Sequence, residues 1–177
     1  MTKTAMTVRP ALTSEHDEVR ALLRVSYQEY AADLPPHIYQ IYLADLLDLD
    51  RDGRPTILVA LRAGRIVGTA RFYPAGAAAS VRLPAGWAWV RAVAVLPELR
   101  GAGIARELMA QCARLATATG AATLSLHTMV FMPAAVRLYE WLGYHRASEW
   151  DIDIAAPYQL PPDPGLIALA YHLDLTR

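Results

Sequence analysis

The chain of 177 residues is 54% hydrophobic and 19% charged, and its 17 basic side chains balance its 17 acidic ones. This length corresponds to about one domain of roughly 100–200 residues, and the apolar content excludes a disordered chain. The single cysteine, Cys112, excludes an internal disulfide and a cysteine-based zinc cluster, and the zero net charge gives no overall attraction to nucleic acid or to an anionic membrane.

Helical and extended segments alternate along the chain. Thr13 and Ser14 precede acidic residues, which is typical of a capped helix start, and the pair Pro35 and Pro36 separates this helix from the next one. Elsewhere, apolar stripes at three- and four-residue spacing predict helices, and β-branched or aromatic runs predict strands. In chain order we expect helices at 14–32 and 38–49, a hairpin of strands at 56–61 and 66–73, a strand at 87–95, a helix at 103–118, a strand at 122–127, a helix at 133–142, and strands at 144–154 and 166–175.

The order of these elements predicts the fold class. Strands alternate with helices in the middle of the chain, and a hairpin precedes them. This order predicts an α/β (α+β) protein with a mixed sheet of about 6–7 strands and about four helices on its faces. Residues 74–80 and 157–165, rich in small residues and proline, are expected to be loops inside one domain that covers residues 1–177.

No targeting or membrane segment is visible in the sequence. The first ten residues are polar and lack the apolar stretch of a signal peptide. The longest apolar runs are far shorter than the roughly 20 residues that span a membrane. We therefore expect a cytoplasmic protein with no membrane partner, no nucleic-acid partner and no metal.

The segment that carries chemistry joins the strand at 87–95 to the helix at 103–118. Gly101 and Gly103 stand in this turn, and Arg100 precedes them. Glycines here allow successive backbone N–H groups to point into one concavity at the positive end of a helix dipole, which favours an anion such as phosphate. The nucleoside-triphosphate loop GxxxxGK(S/T) is absent, and the turn lacks the third glycine of the dinucleotide fingerprint. The residues alone leave a generic phosphate-binding α/β domain open.

Two motifs resemble those of the GNAT superfamily, the acyl-CoA-dependent N-acetyltransferases. The run Arg100-Gly-Ala-Gly103-Ile-Ala105 resembles motif A of that family, Gln/Arg-x-x-Gly-x-Gly/Ala. Residues 135–144 resemble its motif B, A-x-x-L-Y-x-x-x-G-F/Y, at the expected distance downstream. The resemblance covers about residues 8–175 and implies transfer of an acetyl group from acetyl-CoA to a primary amine, by direct attack through a tetrahedral intermediate.

The resemblance also implies roles for individual residues. Backbone N–H groups of motif A would hold the cofactor pyrophosphate, and the strand before it would bind the pantetheine arm. The N–H group near Val93 would stabilise the oxyanion of the intermediate, and Tyr139 resembles the general acid that protonates the departing thiolate. The expected cofactor-binding residues are Val93, Ala94, Val95, Arg100, Gly101, Ala102, Gly103, Ile104 and Ala105.

Two positions depart from the family pattern. Met132 stands where motif B often begins with asparagine, and Arg91 stands where members often carry a glutamate that serves as general base. Without that glutamate, His127 is the first candidate for the base, because a neutral imidazole accepts a proton near pH 7. Glu29 and Asp33 are further candidates. These departures keep a non-catalytic acyl-CoA-binding module open as an alternative.

The acceptor pocket is expected beside the first helix. Tyr27, Tyr30 and Tyr39 are expected to line it, and Arg91 is a candidate partner for an acceptor carboxylate. The apolar run 129–132 is expected to form a loop at the edge of this pocket or an interface, and it is compatible with a homodimer. Cys112 lies on an apolar helical stripe and is expected to be a buried, inert thiol.

The zero net charge is unevenly distributed along the chain. Residues 1–52 carry five basic and nine acidic side chains, residues 53–147 carry 11 basic and three acidic ones, and residues 148–177 carry one basic and five acidic ones. The basic block contains both motifs, and the acidic blocks border the acceptor pocket in the family that the chain resembles. This distribution favours a cationic acceptor, a small molecule such as a polyamine or a basic peptide amine, whereas Arg91 favours an acceptor with a carboxylate.

Overall fold

The structure is a computed structural model that describes residues 6–77, 83–155, 160–161, 163 and 166–176. The loops expected at 74–80 and 157–165 lie partly outside these residues. The strands are β1 Met6–Pro10, β2 Thr56–Arg62, β3 Arg65–Tyr73, β4 Trp87–Val95, β5 Thr123–Met129, β6 His145–Arg146, β7 Ile152–Asp153 and β8 Ile167–Asp174. The helices are α1 His16–Tyr27, α2 Pro36–Leu47, α3 Ile104–Ala118 and α4 Pro133–Trp141.

Within the described residues, eight strands form one mixed sheet. Their order is β1-β2-β3-β4-β5-β8-β6, and β7 pairs with β8 beside β6. β4 and β5 run parallel, and the other pairs are antiparallel. A mixed sheet with four helices confirms the fold class expected from the sequence. None of the helices in the described part of the chain is long and apolar enough to cross a membrane.

Two expectations about the strands are wrong. β1 was not predicted from the sequence, although Met6 and Val8 alternate with Thr7 and Arg9 and pack against the core, because this edge strand has only five residues. One continuous strand was expected at 144–154, where the structure has β6, a short 3₁₀ turn at Ser148–Trp150, and β7. An ion pair between Arg146 and Asp151, 2.7 Å long, closes this turn, and Asp151 also accepts a hydrogen bond from the N–H of Ala170 in β8.

The helices cover both faces of the sheet. Gly68 in β3 allows α3 to approach one face closely, because a Cβ at this position would lie 2.8 Å from Cγ2 of Ile104. Arg71, three residues further on, points to the opposite face and donates hydrogen bonds to the carbonyls of Leu46 and Asp48 at the end of α2. α1 packs against α2 and against β3 and β4. The main apolar core therefore lies between the sheet and these helices.

The start of α1 differs in detail from the expected cap. A 3₁₀ turn at Thr13–Glu15 precedes the helix, and neither Thr13 nor Ser14 caps it through its side chain. Instead, the Glu15 carboxylate accepts a hydrogen bond from the N–H of Leu12 at 2.7 Å and pairs with both ends of the Arg9 guanidinium. The Arg9 guanidinium in particular lowers the pKa of Glu15 to about 2. This pair attaches β1 to the first helix.

A β-bulge in β4 creates the opening in the sheet that positions the site. Ala92 has a φ of +54°, in the left-handed region, and the register between β3 and β4 shifts at this point. Pairing between β4 and β5 extends only from Trp87 to Val90, although both strands continue beyond it. The two parallel strands therefore separate after Val90, and no strand among the described residues pairs with the carboxyl-terminal half of β4 on that side.

Candidate active site

The gap between β4 and β5 opens into a cavity of about 830 Å³. Its walls come from α1, α2, the bulged half of β4, β5, the turn before α3, and α4. Of the expected cofactor-binding residues, Ala102 alone does not line it. The expected site residues that line it are Tyr27, Tyr30, Arg91, Val93, Ala94, Val95, Arg100, Gly101, Gly103, Ile104, Ala105, His127 and Tyr139.

The turn before α3 presents backbone donors to this cavity. Gly101 and Gly103 have φ values of +79° and +81°, which residues with a Cβ adopt only at a cost. The first hydrogen bond of the helix joins the N–H of Glu107 to the carbonyl of Gly103 at 3.2 Å. The N–H groups of Ile104 and Ala105 therefore precede the helical ladder and have no partner within the helix. Such a helix start suits a phosphate group.

Two of the expected phosphate donors are used inside the turn itself. The N–H groups of Arg100 and Ala102 donate to the carbonyls of Pro97 and Leu99, at 3.3 and 3.4 Å. The set of donors available to an anion is therefore smaller than the run from Arg100 to Ala105 that the sequence predicts. It is centred on the first turn of α3.

The Arg100 side chain fastens this turn to the end of α1. Its guanidinium pairs with Glu29 at 2.6 Å and donates to the carbonyl of Ser26 at 3.0 Å. Glu29, a candidate base, is thereby held in an ion pair. Arg106 and Arg137 are exposed like Arg100 and line the same cavity. Arg137 was not predicted as a site residue, because only the fold brings α4 and the start of α3 to one cavity.

Hydroxyl groups of α1 occupy two carbonyls of the bulged strand. The Tyr27 hydroxyl donates to the carbonyl of Val93 at 3.3 Å, and the Ser26 hydroxyl donates to the carbonyl of Val95 at 3.1 Å. These bonds hold β4 against α1 in the part of the strand that does not pair with β5.

Tyr139 lies in α4 with 6% of its surface exposed. Its ring centroid is 5.9 Å from that of Tyr144, and its hydroxyl forms no hydrogen bond with another described residue. Burial raises its pKa well above the ordinary value of 10. The phenol is therefore protonated at neutral pH and retains a proton to donate.

His127 lines the cavity from β5. Its Nε2 lies 2.9 Å from the carbonyl oxygen of Trp150, in the turn between β6 and β7. A carbonyl only accepts hydrogen bonds, so Nε2 carries the proton and Nδ1 keeps a lone pair. Burial lowers the pKa of His127 below its ordinary value of 6.5, against a smaller opposing effect of the Trp150 carbonyl. Asp33, another candidate base, is exposed and does not line the cavity.

Arg91, the expected partner of an acceptor carboxylate, pairs with two carboxylates of this chain. It pairs with Asp45 of α2 and, at 3.2 Å, with Asp52 in the loop that follows α2. Asp45 is 8% exposed and also pairs with Arg51 at 2.5 Å. This network was not visible in the sequence, because about 40 residues separate the aspartates from Arg91.

Tyr27, Tyr30 and Tyr42 form an aromatic wall of the cavity, whereas Tyr39 does not line it. The ring centroid of Tyr27 lies 5.8 Å from that of Tyr30 and 6.0 Å from that of Tyr42. The ring centroid of Phe131 lies 5.6 Å from that of Tyr30. The run 129–132 is only partly the exposed loop that the sequence predicts, because Met129 ends β5 and both it and Met132 are buried.

Cys112 is buried, as expected. It lies in α3, within the main apolar core, and its thiol is free. Burial raises its pKa to about 12, so the thiol stays protonated at neutral pH. A nucleophilic role for this cysteine is therefore disfavoured.

Comparisons with known proteins match both the sequence and the fold. A sequence profile described as the acetyltransferase (GNAT) family matches residues 17–144. The PaiA N-acetyltransferase from Thermoplasma acidophilum, solved in complex with coenzyme A, has a TM-score of 0.69 at 10% identity, with 96% of this chain and 99% of that chain covered. YncA from Salmonella typhimurium, solved with its cofactor acetyl-CoA, has a TM-score of 0.65 at 19% identity, with coverages of 98% and 95%. No curated protein matches the sequence.

A third structure, the ribosomal-protein-alanine N-acetyltransferase from Brucella melitensis, has a TM-score of 0.62 at 19% identity, with coverages of 95% and 99%. At these identities the structural likenesses establish the fold. The profile match covers most of the chain and includes both motifs. The chain therefore belongs to the acetyltransferase (GNAT) family of acyl-CoA-dependent N-acetyltransferases.

Proposed function

We propose that this protein transfers the acetyl group of acetyl-CoA to the nitrogen of a primary amine. The observation that carries the proposal is one continuous cavity that joins the glycine turn before α3 to Tyr139 and His127. A helix start with free N–H groups suits a pyrophosphate, and a buried phenol and a neutral imidazole suit proton transfer. Family membership supplies the reaction class.

The cofactor is expected to bind in the part of the cavity formed by the bulged half of β4, the start of α3 and α4. The N–H groups of Ile104 and Ala105 would bind the pyrophosphate, and Arg106 and Arg137 would add positive charge beside it. The pantetheine arm would follow the bulged half of β4, where the strand has lost β5 as a neighbour. The thioester would then lie near Val93, whose N–H group would stabilise the oxyanion of the intermediate.

The transfer itself exchanges one bond for another. The amine nitrogen attacks the thioester carbonyl, so that a C–N bond forms and the C–S bond breaks. Nδ1 of His127 accepts the proton that the amine loses, directly or through one water, and Tyr139 gives a proton to the departing thiolate. The products are an N-acetylated amine and the free thiol of coenzyme A.

A non-catalytic acyl-CoA-binding module remains the alternative function. Arg91 and Met132 motivate it, since both replace polar groups common in the family. Met132 is buried, with its sulfur 3.9 Å from the Thr128 hydroxyl, and Arg91 is held by aspartates. His127 provides a different base from a neighbouring strand, and for this reason we favour catalysis.

The release of free thiol from acetyl-CoA in the presence of a panel of amines separates the two functions. We expect release that depends on both the protein and at least one amine, with the N-acetylated amine detected by mass spectrometry in equal amount. Reactions without amine measure background hydrolysis. Binding of acetyl-CoA with no amine-dependent release across cationic, neutral and anionic amines would instead support the binding module.

A further inference from the structure

The acceptor half of the cavity is the part lined by α2, Arg51, Trp89 and Arg91, and across the whole cavity arginine side chains outnumber carboxylates among the described lining residues. Asp45 is the one carboxylate among the described residues that line the cavity, and it lies between Arg51 and Arg91. The guanidinium groups that line the cavity belong to Arg51, Arg91, Arg100, Arg106 and Arg137. The one described carboxylate available to a cationic acceptor is therefore already paired with arginines. An anionic acceptor would instead find guanidinium N–H groups that line the cavity.

Arg51 is the cation of this half with uncommitted donors. Its Nε lies 2.5 Å from Oδ1 of Asp45, and its two terminal nitrogens bind no other group in the described part of the chain. Its side chain is 39% exposed and lines the cavity. Arg91 is the opposite case, because it is held between two aspartates. A guanidinium with two free terminal nitrogens matches the two oxygens of a carboxylate.

Trp89 supplies a second donor to the cavity that Arg51 lines. The residue is 4% exposed and lines the cavity, and its Nε1 has no hydrogen-bond acceptor among the described residues. Its indole stacks on Tyr73 with ring centroids 3.9 Å apart, and the Tyr73 hydroxyl donates to the carbonyl of Arg51 at 3.1 Å. A buried donor without an acceptor costs free energy, so an oxygen atom of a ligand placed there would recover it.

Another part of the lining of this half is apolar. Tyr27, Tyr30 and Tyr42 form an edge-to-face cluster along it, and Ile38 and Ile41 of α2 extend the same wall. Aromatic clusters of this kind bury aromatic or branched aliphatic groups well. The wall and the donors together define a site with one apolar and one anion-binding side.

We propose that the acceptor is an amine that carries both a carboxylate and an apolar group of aromatic size. Arg51 and Trp89 bind the carboxylate, and the tyrosine wall binds the apolar group. This inference rests on the proposed function and names its substrate class. It replaces the cationic acceptor suggested by the charge distribution, because the acidic residues Glu29, Asp45 and Asp52 are each paired with an arginine.

The test compares two acceptors that differ only in a carboxylate, L-phenylalanine and phenethylamine. For the unaltered protein we expect kcat/KM to be at least about tenfold higher for L-phenylalanine, since hydrogen bonds to a charged group of this kind discriminate by that factor or more. Arg51→Met and Trp89→Phe should each reduce this ratio by about tenfold, chiefly through the KM for L-phenylalanine. Arg114→Met, on α3 outside the cavity, is the matched control and should leave the ratio unchanged.

Several results would overturn the inference. A kcat/KM ratio of L-phenylalanine to phenethylamine of one or less in the unaltered protein contradicts it. An unchanged ratio in both Arg51→Met and Trp89→Phe also contradicts it. So does acetylation of other amines when neither L-phenylalanine nor phenethylamine is acetylated. Arg51→Lys, which keeps the charge beside Asp45, should retain part of the preference and controls for loss of folding. Acetyl-CoA binding is measured by calorimetry on the same samples. Intact binding and turnover without a carboxylate preference refute the acceptor class alone, whereas no binding and no thiol release refute the proposed function as well.

Discussion

Tyr139 and His127 face the same cavity with opposite requirements for their protons. Burial favours the neutral form of each, which raises the pKa of the phenol and lowers that of the imidazole. At neutral pH the same physical cause therefore provides one group that holds a proton and one that lacks it. This is the pairing that an acyl transfer with a thiolate leaving group needs.

Removal of the Tyr139 hydroxyl should slow the transfer. Tyr139→Phe keeps the ring in its buried place and removes the proton donor, so we expect kcat to fall by about 10²-fold in the thiol-release assay. Tyr144→Phe is the matched control, since Tyr144 is buried beside Tyr139 but does not line the cavity, and it should keep the rate. Equal rates for the two variants would remove Tyr139 from the mechanism.

His127 should determine how the rate responds to acid. Its pKa is lowered, so the imidazole is unprotonated at neutral pH, and once kcat/KM is corrected for the ionisation of the amine itself, the acidic limb that depends on this base should lie below pH 6.5. His127→Gln should lower kcat/KM by about 10²-fold and abolish this acidic limb. His145→Gln, on exposed β6, should keep the limb. A pH profile that His127→Gln leaves unaltered in shape would assign the base to another group.

At the scale of elements, the bulge at Ala92 separates β4 from β5 and so creates the cavity. The left-handed φ of a residue with a Cβ is costly, and a β-branched residue tolerates it least. Ala92→Val should lower the free energy of unfolding by at least about 1–2 kcal/mol in urea denaturation and weaken acetyl-CoA binding. Ala92→Gly fits the same φ and should keep both the bulge and the binding. Full stability and affinity in Ala92→Val would show that the bulge is not needed.

Substitution of Gly103, in the turn before α3, and of Gly64 distinguishes the effect of backbone strain on stability from the effect of a side chain on acetyl-CoA binding. Gly103 and Gly64 both have a positive φ, but Gly64 lies in the β2–β3 hairpin, away from the cavity. A valine at either position should cost about 1–2 kcal/mol of stability. In calorimetric titrations, only Gly103→Val should weaken acetyl-CoA binding, by at least about tenfold, because its side chain would project beside Arg106 at the anion site. Equal affinities in the two variants would place the cofactor elsewhere.

At the scale of the whole molecule, the Arg9–Glu15 pair links the edge strand β1 to α1 and should make stability sensitive to acid. The folded-state pKa of Glu15 is about 2, below its ordinary value of 4.5, so the pair stabilises the fold above pH 4.5 and loses this effect as the pH falls to about 2. The thermal unfolding temperature of Glu15→Gln should be lower than that of the unaltered protein at pH 5. The two unfolding temperatures should converge near pH 2. Glu18→Gln, which removes a carboxylate with no ion pair among the described residues, should show no such convergence. Parallel curves for Glu15→Gln would contradict the role of the pair.

Much of the fold was predictable because local patterns determine it. β4 was predicted with its observed bounds, and α3 and α4 to within one residue, since each has a strong period and a glycine or proline at its boundary. β1 and the interrupted strand at 144–154 were not, because an edge strand and a turn closed by Arg146 and Asp151 depend on partners distant in the chain. The glycine turn could be identified because its chemistry lies in consecutive residues.

The acceptor side of the cavity was much less predictable. Its lining includes Asp45 from α2, Arg51 from the loop after α2, and Trp89 from β4. No spacing in the sequence indicates that these three residues share a cavity. The charge distribution along the chain was visible, but its interpretation depended on which carboxylates are paired. Because Asp45 and Asp52 pair with Arg91, they are less available to a cationic acceptor than the charge distribution suggests.

The central claim is that the cavity between β4 and β5 binds acetyl-CoA, and calorimetric titration tests it most directly. ATP, which shares the nucleotide and a chain of phosphates but has no pantetheine arm or thioester, serves as the comparison ligand. We predict one molecule of acetyl-CoA per chain, with an affinity at least about tenfold higher than that for ATP. No binding of acetyl-CoA, or equal affinity for ATP as expected of a generic phosphate-binding domain, would contradict the account.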